Sequence, residues 1–149
     1  MERLAKDADR KLENILADPG LAPVGADTYG LVNIGLDTMK LISADPDLKG
    51  IHISVGLSNF SWGTPKDLRH KFERAYLALA TVQGLDFAIA NPEQNPTPLE
   101  MDDPFTLGLQ KALDAGRVQE GETQEMAGFR QAGVIMEMCR EADIDDWDD

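Results

Sequence analysis

The stretch Ile51-His52-Ile53-Ser54-Val55-Gly56-Leu57-Ser58-Asn59-Phe60-Ser61-Trp62-Gly63 decides how this chain is read. Its first seven residues are rich in β-branched side chains and almost continuously apolar, the composition of a strand covered on both faces. The residues that follow are polar and glycine-containing, so a loop is expected over 58–65. Beyond it, Phe72, Ala75, Tyr76, Leu79 and Ala80 fall at i, i+3, i+4, i+7 and i+8. That spacing predicts one apolar helical face over residues 66–83, with Gly84 as the stop. Leu85-Asp86-Phe87-Ala88-Ile89-Ala90 then reads as another short apolar strand, closed by Asn91-Pro92.

The same alternation extends upstream. Leu4, Ala8 and Leu12 among charged residues predict an amphipathic helix over 1–14. Ile15-Leu16-Ala17-Asp18-Pro19-Gly20-Leu21-Ala22-Pro23-Val24-Gly25, short, apolar and punctuated by helix-stopping residues, reads as a strand leading into a loop. A second helix, carrying Ile34, Met39, Leu41 and Ile42 and weakened by Gly35, is expected over 31–43, with a turn at Asp45-Pro46-Asp47 and Lys49-Gly50. The order is helix, strand, helix, strand, helix, strand, and the crossovers are long enough for parallel pairing, which makes the fold class α/β. After residue 92 the texture changes. Pro92, Pro96, Pro98 and Pro104 crowd a loop, two helices are expected over 105–115 and 124–142, and 143–149 form an acidic, solvated tail.

Composition narrows the function. The chain has 149 residues, 42% of them hydrophobic, enough for one domain with a real core. Its net charge of −13, from 27 acidic against 14 basic residues, argues against a phosphate-backbone contact surface, so no nucleic-acid partner is expected. The lone Cys139 has no partner for an internal disulfide. It reads as a structural thiol in a reducing, cytoplasmic setting. The opening residues are charged, and no apolar run nears the roughly 20 residues of a membrane span, so neither a signal peptide nor a membrane partner is expected.

In parallel α/β proteins ligands gather beyond the carboxyl ends of the strands. Two segments lie there, Asp18 with its following Pro-Gly, and Ser58-Asn59-Phe60-Ser61-Trp62-Gly63. Asn59 offers one acceptor and one donor group, which suits a flat hydrogen-bonding heterocycle. Ser58 and Ser61 add hydroxyls, and Phe60 or Trp62 an apolar wall. Equally, Asn59 reads as a cap of the next helix or of its own turn. Other chemistries drop out. There is no glycine-rich phosphate loop and no Gly-x-Ser-x-Gly elbow. The only histidines, His52 and His70, lack metal-ligand spacing, so no metal site is expected.

Gly-Leu-Ser-Asn-x-Ser-x-Gly at 56–63, with the amphipathic helix and Gly84-Leu85-Asp86-Phe87-Ala88-Ile89 behind it, resembles the methyltetrahydrofolate methyltransferases. That family includes the folate module of cobalamin-dependent methionine synthase and the methyltransferase of corrinoid/iron–sulfur proteins. More distantly the chain is similar to dihydropteroate synthase. Asp18-Pro19-Gly20-Leu21-Ala22-Pro23-Val24 resembles the family's Asp-Pro-Leu-x-x-Pro-Val segment one strand earlier. The resemblance covers about residues 1–92. It implies that this part is the C-terminal segment of a pterin-binding (β/α)8 TIM barrel, about its last three β/α units, with residues 93–142 as a helical C-terminal extension.

What the resemblance implies for function is one-carbon metabolism. The methyl group would move from 5-methyltetrahydrofolate to cobalamin carried by a partner corrinoid protein. Asn59 maps to the catalytic position near N5. Asp18, Ser58, Asn59, Ser61 and Arg69 map to substrate-binding positions. The earlier strands of such a barrel are not in this chain, which implies either a homo-oligomer or a separate N-terminal half-barrel chain. A non-catalytic partial barrel that binds a pterin or a corrinoid protein, and a dihydropteroate-synthase-like enzyme, are the alternatives. The sequence departs from the family's pattern at Glu73, where the family usually has Asn, and at Gly20, which replaces a bulky apolar residue.

Overall fold

The computed structural model describes residues 2–145. The strands are β1 (Leu16–Ala17), β2 (His52–Gly56) and β3 (Phe87–Ile89). The helices are α1 (Glu2–Asp7), α2 (Leu31–Ala44), α3 (Ser58–Ser61), α4 (Arg69–Val82), α5 (Pro104–Ala115) and α6 (Gln124–Asp145). The strands pair in the order β1-β2-β3, all parallel, with Leu16 opposite His52 and Ser54 opposite Phe87. Pairing reaches past the strand ends, since His52 N donates to Ile15 O at 3.0 Å and Leu57 N to Ile89 O at 3.0 Å. The α/β class expected from the sequence is what forms. Among the described residues it is a three-stranded parallel sheet with helices, and no closed barrel.

Strand order rises steadily along the chain, so both crossovers advance in the same direction. Right-handed crossovers then place α2 and α4 on one face of the sheet. Ala17, Ile53, Val55 and Leu57 point to that face, where they join Val32, Leu36, Met39 and Ile42 of α2 and Phe72, Ala75, Tyr76 and Leu79 of α4 in one core. The opposite face stays open. Leu16 is 57% exposed, Phe87 49% and Ile89 75%, while His52, Ser54 and Gly56 are half-buried. The expectation that β2 is covered on both faces is therefore wrong for these residues, because both helices land on one side. Its apolar run reflects one buried face plus a half-open one.

Several local expectations also shift. The helix expected over 1–14 stops at Asp7, because Asp9 takes a left-handed conformation (φ 50°), and a 3-10 turn follows at Leu12–Asn14. Residues 58–61, expected as loop, form the helical turn α3, drawn in by Phe60, which is fully buried against Tyr76. α4 starts at Arg69, three residues later than the spacing suggested, behind a turn in which Leu68 N donates to Pro65 O. Gly84 ends the region as expected, with φ +111°.

Gly35, read as a weak point of α2, has a packing role instead. A Cβ there would stand 3.2 Å from the carbonyl oxygen of Gly20, so its absence lets the loop after β1 lie against the helix. The helical C-terminal part shares the same core through Leu109, Ala112, Leu113, Ile135 and Met138. α6 runs through Asp145, so the tail expected over 143–149 begins inside the helix, and its last four residues lie outside the described ones.

Candidate functional site

Parallel pairing brings the ends of β1 and β2 to the same edge of the sheet. Asp18 follows Ala17, whose partner is Ile53, so it stands level with Ser54. It is exposed, and its Oδ1 accepts from Gly20 N at 2.8 Å, an Asx-type turn that fixes the bend after β1. Its charge is felt by Tyr76 of α4, which is 1% exposed. Burial raises the Tyr76 hydroxyl above the ordinary phenol range, and the charge of Asp18 adds to that shift, so the phenol stays neutral.

The β2 end is built in two layers. The lower layer is structural. Phe60 and Tyr76 pack with ring centroids 4.6 Å apart. Ser61 is 1% exposed, and its hydroxyl donates to Glu73 Oε1 at 2.6 Å. Thr64 Oγ1 donates to Ser61 O at 2.6 Å, and Arg69 Nε to Thr64 O at 3.3 Å. Of the residues the resemblance assigns to substrate, Ser61 is thus committed to Glu73 inside the fold, and Arg69 clamps the backbone of the loop.

The upper layer is free. Ser58 and Asn59 are exposed, and the Asn59 amide makes no hydrogen bond among the described residues. The capping role open to Asn59 on sequence grounds is not used, since neither α3 nor α4 has a side-chain cap. Instead its Nδ2 lies 3.1 Å from where a Cβ on Gly56 would be. Gly56 alternates with Val55 and so belongs to the open face. The side chain of Asn59 therefore folds back over the carboxyl end of the uncovered face, in space that exists because residue 56 is glycine. Trp62 is 68% exposed and stands clear of this layer, so Phe60 builds the floor and Trp62 forms no wall.

Next to Asp18, the loop after β1 lines a cavity of about 250 Å³ with Pro19, Gly20, Leu21, Ala22, Leu31 and Ile34. The larger cavities lie elsewhere: one of about 380 Å³ beside Ile42, Leu48 and Ile51, and a groove of about 370 Å³ between α4, α5 and α6. His52 sits at the other end of the open face. Its Nδ1 is 2.5 Å from Asp86 Oδ2, and Asp86 Oδ1 accepts from Ile53 N at 2.8 Å, which ties β2 to β3. Among the described residues no three His, Cys, Asp or Glu side chains are grouped to hold a metal ion, and no helix is long and apolar enough to cross a membrane.

Sequence reading named Asn59 and Asp18. It missed the contact of Asn59 with Gly56 and the use of Glu73 as the acceptor for Ser61. The signal for Glu73 was its position beside Phe72 on a helix whose apolar face was already clear. No family model matches this chain, and no curated protein matches it. The family resemblance rests on the two motifs.

Proposed function

We propose that this chain is a component of a pterin-dependent methyltransferase, an arc of a (β/α)8 barrel. In this reading it moves a methyl group from 5-methyltetrahydrofolate to the cobalamin of a partner corrinoid protein. The observation that carries it is the Asn59 amide, unpaired and folded over Gly56 at the carboxyl end of the uncovered sheet face, with Asp18 at the same edge. Barrel enzymes place their ligands at that end. The chemistry of the two groups suits a pterin. A carboxylate accepts hydrogen bonds from ring N–H groups, and a carboxamide both accepts and donates. At N5 the Asn59 carbonyl oxygen would stabilise a proton that raises the leaving ability of the tertiary amine. Ser58, exposed beside Asn59, is the remaining hydroxyl within reach, and Arg69 supports the site through the Thr64 carbonyl.

The open face and free strand edges support the partner assignment. Phe87, Ile89 and Leu16 are apolar groups that a closed barrel would cover, supplied by an N-terminal half-barrel chain or by a second copy. The single thiol Cys139 suits the reducing cytoplasm.

Calorimetric titration with 5-methyltetrahydrofolate, run beside Asn59→Ala, tests the reading. Affinity near a micromolar Kd, about −8 kcal/mol, that weakens tenfold or more on substitution is the expected result. Binding that ignores Asn59 would overturn the site assignment. No binding even after a barrel-completing partner is added would overturn the function. Binding without transfer to a corrinoid acceptor would favour the non-catalytic alternative.

A further inference from the structure

Helix α6 is apolar on two opposite faces. One packs inside the fold, where Ala127, Ile135 and Met138 are buried together with Gln131. At 3.6 residues per turn, Met126, Phe129, Gly133 and Met136 line the face turned directly away from these. Met126 is 54% exposed, Phe129 65% and Met136 72%, and Gly133 is exposed beside them. A helix buried on one side ordinarily presents polar and charged groups to water on the other. Taking about 200 Å² for a fully exposed large side chain, these three leave on the order of 400 Å² of one stripe in water, the size at which a surface patch marks an interaction site.

Gly133 points the same way. A glycine inside a helix weakens it relative to alanine. Gly128, in the same helix, answers to a neighbour, since a Cβ there would stand 2.6 Å from the Thr28 carbonyl oxygen. Around Gly133 no atom of the described residues lies within 4 Å of where a Cβ would be, so nothing within the fold requires glycine.

The order of sizes along the stripe fits its own reverse. Turned about the level of Gln131, Met126 falls on Met136 and Phe129 on Gly133. Two copies of α6 laid antiparallel across a two-fold axis at that level would set each phenylalanine ring over the other copy's glycine, a self-complementary arrangement. The steps of 3, 4 and 3 residues are those of a seam along which two helices pack. Arg140, next on the same face and exposed, would then meet the first turn of the other helix, where Glu125 is exposed.

We propose that this stripe is a homodimer interface, in which a second copy of the chain docks antiparallel on α6 with Phe129 of each copy over Gly133 of the other. The large side chains of both copies contribute about 800 Å², below the 1,200 Å² or so of a standard interface even before the flanks are added, so the dimer is weak and reversible. The net charge of −13 on each copy opposes it, and salt that screens this repulsion favours it. The contact uses α6 and not the open sheet face, so the inference stands apart from the pterin reading and is tested without a ligand.

Sedimentation velocity on the full chain, from micromolar to near-millimolar concentration, should show a monomer–dimer equilibrium. It should tighten between about 0.15 M and 1 M salt, where the Debye length falls from about 8 Å to 3 Å. Gly133→Phe sets ring against ring and should weaken dimerisation roughly tenfold or more. Its circular dichroism should stay that of the parent, because the position faces open space. Adding Phe129→Ala returns one ring to a small residue and should recover most of the loss. Phe129→Glu, at an exposed position, is the second disruptive variant and should leave only monomer. A parent chain that is monomeric at every concentration and salt would overturn the proposal. So would a dimer indifferent to Gly133→Phe and Phe129→Glu, which would place the contact on another face, or a double variant no tighter than Gly133→Phe alone, which would exclude the antiparallel register.

Discussion

Gly56→Ala separates the proposed site from the stability of the fold. Gly56 is the last residue of β2 and its φ is not in the left-handed region, so alanine suits the backbone. Replacing a strand glycine gains about 0.5–1 kcal/mol from the unfolded state. Against this, the new Cβ would stand 3.1 Å from Asn59 Nδ2, a few tenths of an ångström inside ordinary contact. Asn59 is an exposed side chain with free torsions, so it gives way at little cost. Net stability should therefore stay level or rise by up to about 1 kcal/mol in urea titrations. The Asn59 amide, pushed off its position, should show a shifted side-chain NH₂ resonance. Pterin affinity should fall by the value of one hydrogen bond, about 0.5–1.5 kcal/mol, or roughly twofold to twelvefold. In an Asn59→Ala background the same change should cost no further affinity, since the two substitutions act through one contact. The reasoning fails if the Gly56→Ala loss persists undiminished without Asn59, or if the variant is destabilised by more than about 1 kcal/mol.

Two further perturbations probe the frame around the site. Gly84→Ala asks an L-residue to adopt φ +111° and puts a Cβ 1.9 Å from Ser43 Oγ. A loss of about 1–3 kcal/mol is expected in thermal melts, partly recovered by Ser43→Ala, and an unchanged melting temperature would contradict the close approach of α2 to the end of α4. Hydrogen bonds from Arg130, helped by Gln119 N, hold the Glu122 carboxyl down at about 2 from an ordinary 4.5. A depressed carboxyl stabilises the fold above the unfolded value and loses that contribution as pH falls through about 4.5 toward 2. The melting temperature should thus drop more steeply over that window in the parent chain than in Glu122→Gln, and parallel curves would show that the Arg130 clasp on the α5–α6 connection is not used.

Legibility of the fold followed the range of the forces involved. The period of Phe72, Ala75, Tyr76 and Leu79, the β-branched run before Gly56 and the stop at Gly84 are local patterns, and each element they announce is present. Boundaries slipped where tertiary contact competed with local preference. Phe60 turned an expected loop into α3 because its ring is buried on Tyr76. Gly35 looked like a weak helix residue because the approaching Gly20 carbonyl is invisible along the chain.

By itself, the sequence determined the α/β alternation, the polar loops after β1 and β2, and the residue types available there, since all three follow from spacing and side-chain chemistry. Only the tertiary structure decided how those residues are spent. Register set Asp18 level with Ser54, and the missing Cβ of Gly56 placed Asn59 over the open face. Burial turned Ser61 inward to Glu73 and left Trp62 outside. Direction and exposure are properties of packed neighbours, and the neighbours of Asn59, Ser61 and Gly35 come from elements brought together only when α2 and α4 pack into one core with the sheet.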